Sequence, residues 1–269
     1  IKSNYPDRNI EELIDIETKL KKIREEREVK ERKKNTVCEE PSMYLPPEFP
    51  YASGPREYQQ LAFENWKDNG QKGLFAMATG TGKTITSLNC LLEIYKRNGY
   101  YKAIILVPTV ALVNQWEEEC YKFRFSNVVK VYSKNLSWRD EIERIIFNEK
   151  YKSPHESEVS YIIIATYSSF SRENVFRVLS AFDKRRLLLI ADECHNMGSK
   201  SMIKKMKEIP YLRRIGLSAT PERQYDLYGN TQIRNFFGSA EKYTFEYSME
   251  DAIKNGVLCR YYYFPHVVQ

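Results

Sequence analysis

The sequence predicts an α/β domain with a central parallel sheet covered by helices on both faces. Two patterns carry that expectation. Six apolar runs of five or six residues recur between positions 73 and 217. The stretches between them place their apolar residues at helical spacing. Strands that are apolar on both faces and joined by helices imply a parallel sheet buried on both sides.

In chain order, strands are expected at 73–78, 103–107, 128–132, 161–166, 187–191 and 213–217. Helices are expected near 56–69, 83–97, 110–123, 137–149, 168–182 and 200–208. Upstream, Ile10, Leu13, Ile14, Leu20 and Ile23 suggest a charged helix over 10–34. Its second half, EEREVKERKK, is almost wholly polar and reads as a solvated linker. The proline-dense EEPSMYLPPEFPYASGP then breaks regular structure near residue 50. Residues 1–50 are therefore expected to form a helical extension and linker ahead of the main domain.

Composition narrows the function classes. Of 269 residues, 29% are charged and 42% hydrophobic, as in a soluble globular protein. The net charge is +6, and all of the excess lies beyond residue 40. That suits a nucleic-acid partner and equally a solvated basic face. Five scattered cysteines without a C-x-x-C pair, and three dispersed histidines, argue against disulfide and zinc frameworks. IKSNYPDRNIEEL lacks the regions of a signal peptide, and the apolar runs are too short to span a bilayer. A reduced cytoplasmic protein is expected, in a bacterial cytosol or nucleoid.

The ends of the strands carry the chemistry, as the edge of a parallel sheet should. Strand 73–78 runs into Thr79-Gly80-Thr81-Gly82-Lys83-Thr84, followed by a helix. A glycine turn backed by a helix N-terminus holds anionic oxygens with backbone N–H groups. Lys83 is placed to neutralise the β- and γ-phosphates, and Thr84 to bind Mg²⁺. The strict phosphate-loop pattern would have glycine where Met77 stands. Further on, LLLIADECHNMG sets Asp192 and Glu193 just beyond a strand. Asp192 can hold Mg²⁺, and Glu193 can orient and deprotonate an attacking water. In RRIGLSATPER, Ser218 and Thr220 are candidates to hydrogen-bond His195 and sense the nucleotide. Cys194, Gln115 and Trp116 read as packing residues.

From about Arg56 onward the chain resembles the superfamily 2 helicases and translocases, in their first RecA-like domain. The resemblance rests on six motifs in the family's order: REYQ (56–59), MATGTGKT (77–84), LVPTVALVNQW (106–116), IIIATYSSF (162–170), DECH (192–195) and LSAT (217–220). Their flavour is closest to the branch of DNA-repair helicases and restriction-enzyme motors. In that branch a residue such as Met77 is no bar to ATP binding.

The resemblance implies a RecA-like P-loop fold over 51–247 and ATP with Mg²⁺ as ligands. It implies adenine contacts from Arg56 and Gln59, and catalysis by Lys83, Asp192, Glu193 and His195. It assigns nucleic-acid backbone contacts to Pro108, Thr109 and Thr166, with DNA preferred over RNA. YSMEDAIKNGVL resembles a helix, and CRYYYFPHVVQ a strand, leading from 248–269 towards a second RecA-like domain that would supply arginine fingers. The sequence is thus expected to be a truncated piece of a motor, with a nuclease or other domain possible upstream in the parent. Two rival readings stand beside it. One is a P-loop kinase or GTPase, for which no acceptor or base-specificity motif is found. The other is a nucleotide-gated nucleic-acid-binding module without motor activity of its own.

Overall fold

A computed structural model describes residues 45–153 and 157–260. The expected helix at 10–34 lies outside the described residues, as does most of the expected strand at 259–269. Within them, strands β1 (Lys72–Met77), β2 (Lys102–Val107), β3 (Val128–Val131), β4 (Tyr161–Thr166), β5 (Leu188–Asp192), β6 (Arg213–Ser218) and β7 (Phe245–Tyr247) form one sheet. Its order is β3-β4-β2-β5-β6-β1-β7, and every pairing is parallel. All strands therefore end on the same edge.

Burial follows position in the sheet. The interior strands β2, β4 and β5 are buried at every residue, whereas the edge strands β3 and β7 alternate. Alternate strand side chains point to opposite faces and feed two cores. Phe75, Met77, Ile105, Ile164 and Ile190 pack beneath α1 (Glu57–Asp68), α2 (Lys83–Asn98) and α3 (Val110–Lys122). Leu74, Ile104, Ile163 and Leu189 belong to the core on the other face. It is covered by α4 (Trp138–Lys150), α5 (Tyr167–Phe170), α6 (Glu173–Ser180), α7 (Lys200–Met206) and α8 (Leu227–Phe236).

The sequence reading differs from the structure in five places. The helix expected at 168–182 is two, because Arg172 takes extended backbone (φ −71°, ψ 133°) between α5 and α6. β5 runs on to include Asp192, and β6 to include Ser218. Strand β7 and helix α8 were not foreseen. The helix expected in YSMEDAIKNGVL is α9 (Met249–Lys254), with a capping box in which the Ser248 hydroxyl accepts from Asp251 N–H at 3.0 Å. Among the described residues no helix is long and apolar enough to cross a membrane.

Candidate nucleotide site

The turn between β1 and α2 is built for close backbone approach. Gly80 and Gly82 adopt φ of +82° and +80°, the left-handed region that favours glycine. A Cβ on Gly82 would stand 3.2 Å from Gln59 Nε2, and one on Gly80 3.2 Å from a Leu258 methyl. The Thr81 hydroxyl donates to Ala78 O at 2.7 Å, and Tyr58 OH donates to Thr81 O at 2.7 Å. Thr79 is exposed, while Lys83 and Thr84 are half-buried at the start of α2. Lys83 Nζ reaches back to Met77 O at 3.4 Å. Met77 is fully buried and pairs with Tyr247, so the chain turns only after it. A glycine there would have no turn to serve. Free N–H groups at the start of α2 and its dipole favour an anion in this loop.

Beside the loop, Gln59 is 4% exposed and its Oε1 accepts Arg56 N–H at 3.0 Å. This bond opens α1 and sets the carboxamide against Gly82. Arg56 is exposed, and its Nη1 lies 3.4 Å from Tyr58 OH. The Tyr58 ring stacks on Tyr247 with centroids 4.2 Å apart.

The acidic pair lies at the end of β5. Asp192 is 7% exposed, and both of its carboxylate oxygens have partners. Oδ2 accepts from Trp116 Nε1 at 2.9 Å, and Oδ1 from the Glu193 N–H at 3.0 Å. Burial pushes the Asp192 carboxyl above the usual carboxylate range; the Trp116 hydrogen bond opposes this, and the Glu193 charge adds to it. Tyr167 OH donates to the Asp192 carbonyl at 2.8 Å.

Glu193 sits at φ +46°, unusual for a residue with a side chain, and turns the chain into a short 3-10 segment, Cys194–Gly198. Its Oε2 accepts from the Ser218 hydroxyl at 3.2 Å and lies 3.5 Å from His195 Nδ1. That histidine nitrogen is 3.3 Å from Ser218 Oγ. Thr220 is exposed, and it is its backbone N–H that meets Ser218 Oγ, at 3.1 Å. Cys194 is fully buried, and burial pushes its thiol up.

The donor set fits a magnesium nucleotide. Among the described residues no three His, Cys, Asp or Glu side chains group to cage a metal. One hydroxyl (Thr84) and one carboxylate (Asp192) suit Mg²⁺, which keeps waters and shares phosphate oxygens.

The candidate nucleic-acid residues occupy the same edge. Pro108 is half-buried and Thr109 exposed, capping α3 by accepting Leu112 N–H at 3.3 Å. Thr166 is only 3% exposed, and its hydroxyl caps α5 by accepting Ser169 N–H at 3.2 Å. The exposed hydroxyl there belongs to Ser168, 3.1 Å from Thr166 Oγ1. Sequence reasoning also missed Trp116 and Tyr167 as partners of Asp192. It missed Arg223 as well, whose Nη1 donates to His195 O at 3.1 Å. A buried indole N–H or phenol needs an acceptor, and that was the available signal.

Comparison with known proteins shows the family and the fold. Residues 53–223 match the sequence profile of the family "Type III restriction enzyme, res subunit". The chain is 26% identical over 215 residues to a type I restriction enzyme EcoAI endonuclease subunit of Escherichia coli, covering 77% of this chain and 23% of that one. It is 28% identical over 178 residues to the DNA 3'-5' translocase XPB2 of Sulfurisphaera tokodaii, covering 64% of this chain and 33% of the relative. The chain thus spans a third or less of the length of these relatives. Among solved structures, a nuclease-deletion mutant of the type ISP restriction-modification enzyme LlaGI superposes with a TM-score of 0.56 at 21% identity. That match covers 76% of this chain and 20% of that one. At this identity the likeness shows the shared RecA-like α/β fold.

Proposed function

Because this chain belongs to the type III restriction enzyme res subunit family, we propose that it is the first motor domain of a DNA translocase or helicase driven by ATP hydrolysis. One observation carries the reading. Glu193, His195 and Ser218 meet within 3.2–3.5 Å at the strand edge that also bears the glycine loop. A carboxylate held there by a hydroxyl, next to a phosphate cradle, suits activation of a water for attack on a γ-phosphate.

In this reading the loop 79–84 holds the phosphates and Lys83 offsets their charge. Thr84 and Asp192 hold Mg²⁺, which would neutralise charge on the phosphate oxygens. Gln59 meets the adenine edge with its remaining amide donors, and Arg56 flanks it. Glu193 aligns the water, and Ser218 and His195 hold Glu193. Pro108 and Thr109, with Ser168 beside the buried Thr166, would meet a DNA backbone crossing the strand edge. The partners are DNA and a second RecA-like domain of the parent chain, in a cytosolic setting of restriction, repair or phage defence. Residues 1–269 alone bind the nucleotide weakly and turn it over slowly, since the transition-state arginines come from the second domain.

The test is DNA-stimulated ATP hydrolysis by the parent protein, unchanged and with Lys83→Ala or Glu193→Gln. Both variants are expected to lose about a hundredfold or more in kcat. Unchanged hydrolysis in Glu193→Gln removes that residue from its role. Nucleotide-dependent DNA binding without turnover in the unchanged protein favours a gated binding module instead.

A further inference from the structure

Two helices that begin at the candidate DNA-contacting segments both end their reach at one residue of the nucleotide site. Helix α3 starts at Thr109, directly after Pro108, and two turns later carries Trp116. Trp116 is 1% exposed, and its Nε1 donates to Asp192 Oδ2 at 2.9 Å. The short helix α5 starts at Thr166 and opens with Tyr167, whose hydroxyl donates to Asp192 O at 2.8 Å. One bond fixes the carboxylate's rotation and the other fixes its backbone. Both are buried, so neither is exchanged with water at low cost.

We propose that Trp116 and Tyr167 are positioning residues that couple DNA at the 108–109 and 166–168 segments to the metal-holding geometry of Asp192. The proposal rests on the motor-domain reading above. A shift of either helix start on meeting a DNA backbone displaces a hydrogen-bond donor to Asp192, because each helix moves as a packed unit. β4, β2 and β5 are consecutive in the sheet, so the segment following β2 lies beside the end of β5 and the one following β4 lies one strand further, from where the Tyr167 hydroxyl still reaches Asp192. Two donors on two separate segments converge on Asp192, as a coupling device requires and packing alone does not. By linkage, what DNA does to the Mg²⁺-nucleotide, the Mg²⁺-nucleotide does in equal measure to DNA.

The experiment follows binding of a fluorescent ADP analogue as Mg²⁺ is titrated, with and without a duplex oligonucleotide. It uses this chain unchanged, Trp116→Phe, Tyr167→Phe and Lys83→Ala. The two phenylalanine variants keep the buried ring and lose only the donor, and thermal melts verify their folding. In the unchanged chain the oligonucleotide is expected to lower the half-saturating Mg²⁺ concentration about fivefold or more. Each phenylalanine variant is expected to lose most of that shift, and Trp116→Phe also needs more Mg²⁺ without DNA. A full shift in either folded variant overturns the coupling, as does an unchanged chain that binds both ligands without a shift. If Trp116→Phe fails to fold, Tyr167→Phe decides. ADP binding that survives Lys83→Ala instead removes the nucleotide-site reading itself, and the coupling with it.

Discussion

The Ser218 hydroxyl donates to Glu193 Oε2 across 3.2 Å, and sheet register places it there. β5 and β6 pair with Asp192 beside Leu217, so Ser218, the last residue of β6, falls next to Glu193 as the chain leaves β5. Ser218→Ala removes the donor and leaves a half-buried carboxylate with a poorer partner. A hydrogen bond to a charged group contributes about 1.5–3 kcal/mol, which corresponds to tenfold or more in rate. The parent protein carrying Ser218→Ala is expected to lose about tenfold in kcat, with KM for ATP within about twofold. Steady-state hydrolysis decides it, and a change in KM alone would make Ser218 a binding residue.

Gly82 and Gly256 separate conformational strain from site geometry. Both have positive φ, +80° and +67°, so alanine at either is strained by about 1–2 kcal/mol. At Gly256 a Cβ meets nothing within 4 Å, whereas at Gly82 it stands against Gln59. Denaturation midpoints of Gly82→Ala and Gly256→Ala are expected to fall by similar amounts. Nucleotide binding should weaken about tenfold or more in Gly82→Ala alone. Equal nucleotide affinity in the two variants would detach the loop from the nucleotide.

Much of this architecture is legible in the sequence, and the exceptions have physical causes. Strands buried on both faces announce themselves as apolar runs, so β1, β2, β4 and β5 stand out. β7 is three residues at the sheet edge with Glu246 exposed between Phe245 and Tyr247, too short for any period to register. Helix α8 owes its burial to Ile233 and Phe236 against a distant core, information carried by tertiary contact. Lys83, Asp192 and Glu193 are visible because a glycine turn and an acidic pair occur together at the ends of buried strands; the acidic pair alone is common by chance. Trp116 has a core residue's spacing and is indeed buried. Only the fold reveals that its N–H faces Asp192.

The opposite edge of the sheet holds a charge cluster around Glu158. Glu158 meets Lys152 at 2.8 Å, Arg186 at 2.9 Å and the 3%-exposed Lys102 at 3.2 Å. The Lys152 hydrogen bond first, with Lys102 and Arg186 adding, holds its carboxyl down at about 2 against the partial opposition of burial. A depressed carboxyl stabilises the fold fully above its unfolded value near 4.5, and the contribution fades as pH falls towards 2. With solvent screening this amounts to about 1 kcal/mol. Urea denaturation at pH 7 and pH 3 is expected to show a smaller acid loss in Glu158→Gln than in the unchanged chain. Parallel losses would assign acid sensitivity to other carboxylates.

Arg223 ties the segment after LSAT to the turn that carries His195. Its Nη1 donates to His195 O at 3.1 Å, its Nε meets Asp226 at 2.8 Å, and its side chain lies across Gly198. A Cβ on Gly198 would stand 2.6 Å from Arg223 Cδ, so Gly198→Ala must expel that side chain. Gly198→Ala and Arg223→Ala therefore break the same clamp by different routes. The neighbouring Tyr225, Leu227 and Tyr228 are exposed by 104%, 84% and 61%, ready sites for chymotrypsin once the loop opens. Each single variant is expected to raise the cleavage rate there about threefold to tenfold, as loss of about 1 kcal/mol of local stability does. The double variant should cleave no faster than either single, because residues acting through one contact do not add. Multiplying rates would mean that the glycine and the arginine support the loop independently.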